Sequence, residues 1–154
     1  MRLISMLFAA ALSVCATQAG AQEQSDAANP IAACLATAEP DARRACIGIV
    51  AGPCMDEPAG FSTVGMIICY SRERDLWTAE ATRLTTLLRS RESPTQIARL
   101  DAMLTAYEPW MQARCAYSAS MNEGGSMAHI VAAACVRNTS AELTIDLLER
   151  FDEG

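Results

Sequence analysis

From Phe61 to Leu88 no proline interrupts the chain, and its large apolar residues, Ile67, Tyr70, Trp77, Ala81, Leu84 and Leu88, recur at spacings of three, four or seven. Such a period lines one face of an α-helix. Ser62 and Thr63 stand at its start, where either hydroxyl can accept from a free backbone N–H of the first turn. Arg72, Arg74, Asp75, Glu80 and Arg83 are expected to point away from the apolar face. Cys69, in the first turns, can tie this helix covalently to another segment. The stretch is read as the central helix of a small, disulfide-stapled helical domain.

Around it the chain divides at recognisable breaks. Ile31–Glu39 reads as one short helix, and Pro40-Asp41 opens a second over roughly Asp41–Ala51, stopped by Gly52-Pro53. Cys54–Gly60 then reads as a loop, with Pro58 and Gly60 as breakers. After the central helix, Ser93 as N-cap and Pro94 as first helical residue begin the next helix. Ile97, Leu100, Leu104, Tyr107, Met111 and Arg114/Cys115 carry its pattern to an end near Ser120. Pro109 falls inside, which predicts a kink near Ala106–Glu108 or a restart there. Gly124-Gly125 is the most permissive point of the backbone. Ser126 can cap a last helix from Met127 to about Phe151, with a bend expected around Asn138-Thr139-Ser140. No segment alternates as a half-buried strand does. The expected architecture is all-α, an irregular bundle of two short N-terminal helices and three longer ones.

The first residues place a charge at Arg2, an apolar run over Leu3–Ala16, and Ala19-Gly20-Ala21, the pattern of a secretory signal peptide cleaved after Ala21. The run is too short, by about four residues, for a membrane span. Lipidation at Cys15 is the competing reading, disfavoured by the bulky Val14 before it. Residues 22–30 read as a polar, flexible lead-in and 31–154 as one domain. Cleavage would leave six cysteines, Cys34, Cys46, Cys54, Cys69, Cys115 and Cys135. An even count in an exported chain predicts three disulfides. No pair has the Cys-x-x-Cys spacing and His129 is the one histidine, so zinc, haem attachment and thioredoxin-like chemistry lack their signatures. No metal or cofactor is expected. Without Arg2, 18 acidic residues face 11 arginines and no lysine, a net charge of −7. That balance repels nucleic acid and anionic lipid and favours cationic partners.

Catalytic constellations are thin. His129 sits beside Ile130 and Val131 without a Gly-x-Ser-x-Gly motif, and reads as a surface or half-buried side chain. Gly124-Gly125 is not followed by Lys-Ser/Thr, so it is no phosphate loop. Asp56-Glu57 and Asp152-Glu153 are expected in solvent, and Trp77 and Trp110 in the core. The reading is a protein that is not an enzyme.

One ordered set of residues goes beyond what a plain helical core needs. It comprises Cys69, Glu73 and Trp77; Tyr107, Trp110 and Cys115; Gly124-Gly125-Ser126; and Cys135, Thr139-Ser140-Ala141-Glu142 and Leu147-Leu148. The series resembles the LprI-type lysozyme-inhibitor family, small exported bacterial proteins. Upstream, Cys46-Ile47-Gly48, Cys54 and Phe61-Ser62-Thr63-Val64-Gly65-Met66 resemble its longer, six-cysteine variants. The family's Trp-x-x-x-Arg with a cysteine four residues later has two registers here, Trp110/Arg114 or Tyr107/Met111 ahead of Cys115. The family's polar pair after the first tryptophan is replaced by Thr78 and Ala81-Thr82.

What the resemblance implies is a periplasmic or secreted protein that occupies the cleft of a lysozyme. Lysozymes of host defence are typically cationic, and a chain of charge −7 is steered toward them. Their two catalytic carboxylates lie in a groove that a rigid loop can block or engage with a donor. The candidate loop is Asn122, Glu123, Gly124, Gly125 and Ser126, bracketed by Cys115 and Cys135. If those two cysteines pair, the bond would close a loop of about twenty residues and stabilise by roughly 3 kcal/mol. Six cysteines allow fifteen connectivities, and nearness in sequence favours Cys34–Cys46 and Cys54–Cys69 for the others. The alternative function is a structural or interaction module of the envelope without lysozyme inhibition.

Overall fold

The computed structural model describes residues 29–153; the expected signal peptide, Cys15 and most of the lead-in lie outside them. The described residues are all-α. Two short helices, α1 (Pro30–Thr37) and α2 (Ala51–Asp56), precede three long ones, α3 (Thr63–Arg91), α4 (Pro94–Ser120) and α5 (Ser126–Asp152). Disulfides join Cys34 to Cys46, Cys54 to Cys69 and Cys115 to Cys135.

The central helix starts and stops where its local chemistry directs. Ser62 accepts from the Gly65 N–H at 2.9 Å, and Glu92 caps the far end through its backbone N–H on the Leu88 carbonyl. Gly65 is required by proximity, because a Cβ there would lie 2.0 Å from the Ala59 carbonyl oxygen. Ser93 and Gln96 form a reciprocal capping box with Pro94 at the first position of α4.

α5 is the element the others share. α3 and α4 each pack along it and make little contact with one another. α3 and α5 run parallel and in step: Arg137 meets Glu73, the Thr144 hydroxyl donates to the Trp77 carbonyl at 3.0 Å, and Arg91 reaches the Phe151 carbonyl. One core cluster gathers Ile31, Leu35, Cys46, Trp77, Ala141 and Ile145, and a second gathers Ala81, Leu84, Leu88, Leu100 and Leu147. Trp77 is fully buried.

Several expectations are corrected. The second helix does not run to Ala51. Pro40–Cys46 is a 3-10 segment, and Gly52-Pro53 lie inside α2 instead of ending a helix. Pro53 is tolerated because it falls in the first turn, where its missing N–H has no helical acceptor. Pro58–Gly60 is a further 3-10 turn. α4 runs through Pro109 without a restart. Ser126 is the first helical residue of α5 and not its cap; Gly125 holds the cap position with no side-chain bond. Trp110 is exposed and not core. Glu80 does not point to solvent: it is buried and bonded to Arg83 at 2.5 and 2.9 Å.

Candidate functional site

The residues of the candidate loop sit at the tip of the α4–α5 hairpin. The chain turns through hydrogen bonds from Asn122 N–H to Ala119, Glu123 N–H to Ser120 and Gly125 N–H to Asn122 carbonyls. Gly124 adopts a φ of +80°, in the left-handed region that other residues enter only with strain. Glu123, Gly124, Gly125 and Ser126 are exposed and Asn122 is half-buried. Ala116, Ala119, Glu123, Gly124, Ser126 and His129 border a shallow depression of about 500 Å³. His129 is thus an exposed neighbour of the loop.

Behind the tip, the Cys115–Cys135 bond pins α4 to α5 with a Cα separation of 5.5 Å. Buried Thr139 packs its hydroxyl 3.9 Å from both sulfurs. Arg114 donates to that hydroxyl at 3.2 Å and to Glu142 at 3.3 Å, and its guanidinium lies 5.3 Å over the Trp110 ring. Met111 and Cys115 are buried and Tyr107 half-buried. The spacing of four between each of these three puts them on one inward row. Trp110 and Arg114 occupy the exposed flank. Tyr107, Met111 and Cys115 thus form the inward row, while Arg114 reaches Thr139 and Glu142 of α5 from the flank. Burial pushes the Tyr107 hydroxyl up to about 12, with Ser140 beside it as a partial offset. It lacks a well-formed hydrogen bond.

The series Cys69, Glu73, Trp77 forms the matching inward row on α3, and its chemistry is structural. The Glu73 carboxylate accepts from the backbone N–H groups of Gly48 (2.7 Å), Val50 (3.1 Å) and Ala51 (2.6 Å). It also accepts from Trp77 Nε1 at 3.2 Å and Arg137 at 2.8 Å. Burial pushes this carboxyl up, but the bonds from Arg137, Ala51, Gly48 and Trp77 together hold it below its ordinary value. Glu73 thereby caps α2 from a distance and fixes the Cys46–Cys54 segment onto α3. Arg137 also lies 5.1 Å over the Tyr70 ring.

Sequence reasoning missed three side chains flanking the loop: Tyr117, Met121 and Met127 are large, apolar and exposed. A signal was present. Tyr117 and Met121 lie two and six residues beyond Cys115, on the side of α4 opposite the inward row. A groove of about 720 Å³ runs elsewhere, between α3 and α4, and is lined by Thr78, Thr82, Thr85, Tyr107 and Met111 over a floor including Ser140. No loop residue lines it. Among the described residues no group of three His, Cys, Asp or Glu side chains could hold a metal ion, and no helix is long and apolar enough to cross a membrane.

The family model for Lysozyme inhibitor LprI matches residues 54–147. The match takes in Cys54–Cys69, the Glu73 hub, the hairpin tip and Cys115–Cys135. No curated protein and no solved structure matches the chain. A family match over more than half of the chain, on a fold whose two inward rows carry the motif residues, settles kinship: the protein belongs to the LprI lysozyme inhibitor family.

Proposed function

We propose that this protein is exported to the bacterial periplasm or beyond the cell, where it binds and blocks a lysozyme-type glycosidase and itself catalyses nothing. The observation that carries the reading is the family match over 54–147. Three disulfides suit an oxidising compartment. The acidic chain suits a cationic enzyme, whose approach it would accelerate at low salt. In this reading the exposed loop Asn122–Ser126 enters or covers the catalytic groove. The Ser126 hydroxyl, the Asn122 amide and the neighbouring His129 imidazole offer polar groups to two carboxylates. The Cys115–Cys135 bond holds the loop in one geometry, which limits the ordering cost of binding.

The test is lysozyme-catalysed lysis of a cell-wall suspension with increasing oxidised protein, residues 22–154, at low and physiological salt. Dose-dependent loss of lysis that weakens with salt is the expected result. No effect on several lysozyme types would refute inhibition and leave an interaction module of the envelope.

A further inference from the structure

Away from its inward row, α4 carries a line of exposed apolar side chains along one side. Met103 (44 % exposed), Trp110 (53 %), Tyr117 (81 %) and Met121 (90 %) follow at spacings of seven, seven and four. The helix runs through Pro109 without a break. At about 3.6 residues per turn the four side chains, with Arg99 before them, fall within roughly 40° of one line. Recurrence of apolar side chains every seven residues is the spacing by which helices pair.

The two halves of this line differ in shape. At its first half the surface is hollow: Arg99, Leu100 and Met103 of α4, with Leu143, Asp146 and Leu147 of α5, border a groove of about 420 Å³. At its second half Tyr117 and Met121 stand out into solvent. Trp110 lies midway, seven residues from both Met103 and Tyr117 and eleven from both Arg99 and Met121. A two-fold axis beside Trp110 lays a second α4 antiparallel to the first. Tyr117 and Met121 of each copy, about 10 and 16 Å from the axis, then enter the groove of the other, and the two Trp110 rings meet. Such an interface is self-complementary, as two-fold symmetry requires.

Charge selects a second copy over other occupants. Arg99 and Glu123 are exposed, and among the described residues neither side chain has an ion-pair partner. The antiparallel arrangement sets Arg99 beside the end of the second copy's α4, where Glu123 follows Met121, and does so twice. A parallel pairing would set arginine against arginine. A cationic protein would meet Arg99 and Arg150 at the groove, and an anionic lipid surface is repelled by the acidic chain. Filling both grooves and covering Trp110 removes on the order of 1,000 Å² from water, the size of a weak but specific interface. We propose that the protein pairs with a second copy of itself through α4, with Tyr117 and Met121 as the anchors and Arg99–Glu123 as the pair that fixes direction. The dimer does not depend on lysozyme being the partner.

Sedimentation equilibrium of the oxidised protein, residues 22–154, over about 1–200 μM is expected to show monomers and dimers with a micromolar Kd. Tyr117→Ser with Met121→Ser should raise that Kd at least tenfold. Arg99→Glu should raise it several-fold, and Arg99→Glu with Glu123→Arg should return it to within twofold of the parent. Val64→Ser, at an exposed site on α3, should leave it within twofold. Because Trp77 is already fully buried, a blue shift of tryptophan emission with concentration should come from Trp110 and vanish in Trp110→Phe. All variants should keep the parent's circular dichroism. A parent that stays monomeric over this range overturns the dimer. A parent dimer that Tyr117→Ser with Met121→Ser and Arg99→Glu both leave within twofold overturns the α4 interface. Binding of lysozyme or of anionic vesicles by a monomeric parent, lost in Tyr117→Ser with Met121→Ser, would overturn it in favour of those occupants.

Discussion

Replacing Glu73 by glutamine keeps the side chain's shape and removes its charge, in a place where five donors converge on it. One carboxylate oxygen serves Gly48, Trp77 and Arg137, and the other serves Val50 and Ala51. A glutamine oxygen can occupy only one of those positions. Its amino group then faces N–H groups at the other, so two or three buried donors lose their acceptor in either orientation. Arg137, its side chain 11 % exposed, also loses its anion. Removing one partner of a buried ion pair costs about 3–5 kcal/mol, and each orphaned donor about 1–3 kcal/mol, partly overlapping. A loss of roughly 4 kcal/mol is expected, read by urea unfolding of the oxidised protein. In a domain of this size it corresponds to a fall in Tm of about 12 °C or more.

The pH dependence of that loss follows from the carboxyl's position below its ordinary value of 4.5. A depressed carboxyl stabilises the fold fully above its unfolded value, and the contribution disappears as pH falls through the folded value. The gap between parent and Glu73→Gln should be widest at neutral pH and narrow progressively below about pH 4.5. Adding Arg137→Met to Glu73→Gln should restore part of the stability, since no buried cation is then left alone. A loss under about 1 kcal/mol at pH 7, or no recovery in the double variant, would refute the assignment of Glu73 as the hub.

Three further outcomes are expected. Gly65→Ala should destabilise by about 2 kcal/mol or more in urea unfolding, because its Cβ would meet the Ala59 carbonyl at 2.0 Å; a neutral result would mean that the 58–60 turn yields freely. Replacing Cys115 and Cys135 by serine should cost about 3 kcal/mol and weaken lysozyme inhibition more than the loss of Cys34–Cys46, compared in the lysis assay. Tyr107, held up to about 12, favours the folded state while protonated, so its contribution fades as pH rises above about 10. Tyr107→Phe should lessen the alkaline loss of stability between about pH 10 and 12, measured by Tm across that range.

The sequence made the long helices legible because their boundaries are local events: Ser62 and Ser93 cap with their own side chains, and Pro94 stands where a helix begins. α2 was illegible for the opposite reason. Its N-terminal donors end on Glu73, more than twenty residues away, so Gly52-Pro53 read as a stop. Glu80 carries the same lesson. A carboxylate at a helical position reads as solvent-facing until the packing that buries it is known. The turn at Asn122–Ser126 was legible in its glycines, but the exposure of Tyr117 and Met121 was not, because hydropathy marks a residue as apolar without saying which way it turns. The exposure of Val64 and Ile68 on α3, and of Phe61 just before it, escaped on the same ground.

The disulfides hold a consequence for biogenesis. Their partners are 12, 15 and 20 residues apart and the pairs follow one another along the chain without nesting or crossing. A chain delivered N-terminus first into an oxidising compartment can close each pair before the next pair's cysteines emerge. Of the fifteen possible connectivities, the native one is also the one that vectorial emergence selects, with little need for an isomerase to reshuffle bonds. None of the three bonds joins α3 to α4 or α5. Oxidation therefore completes the parts, and bringing α3 onto α5 is left to Trp77, Glu73 and Arg137, after the last cysteine has emerged.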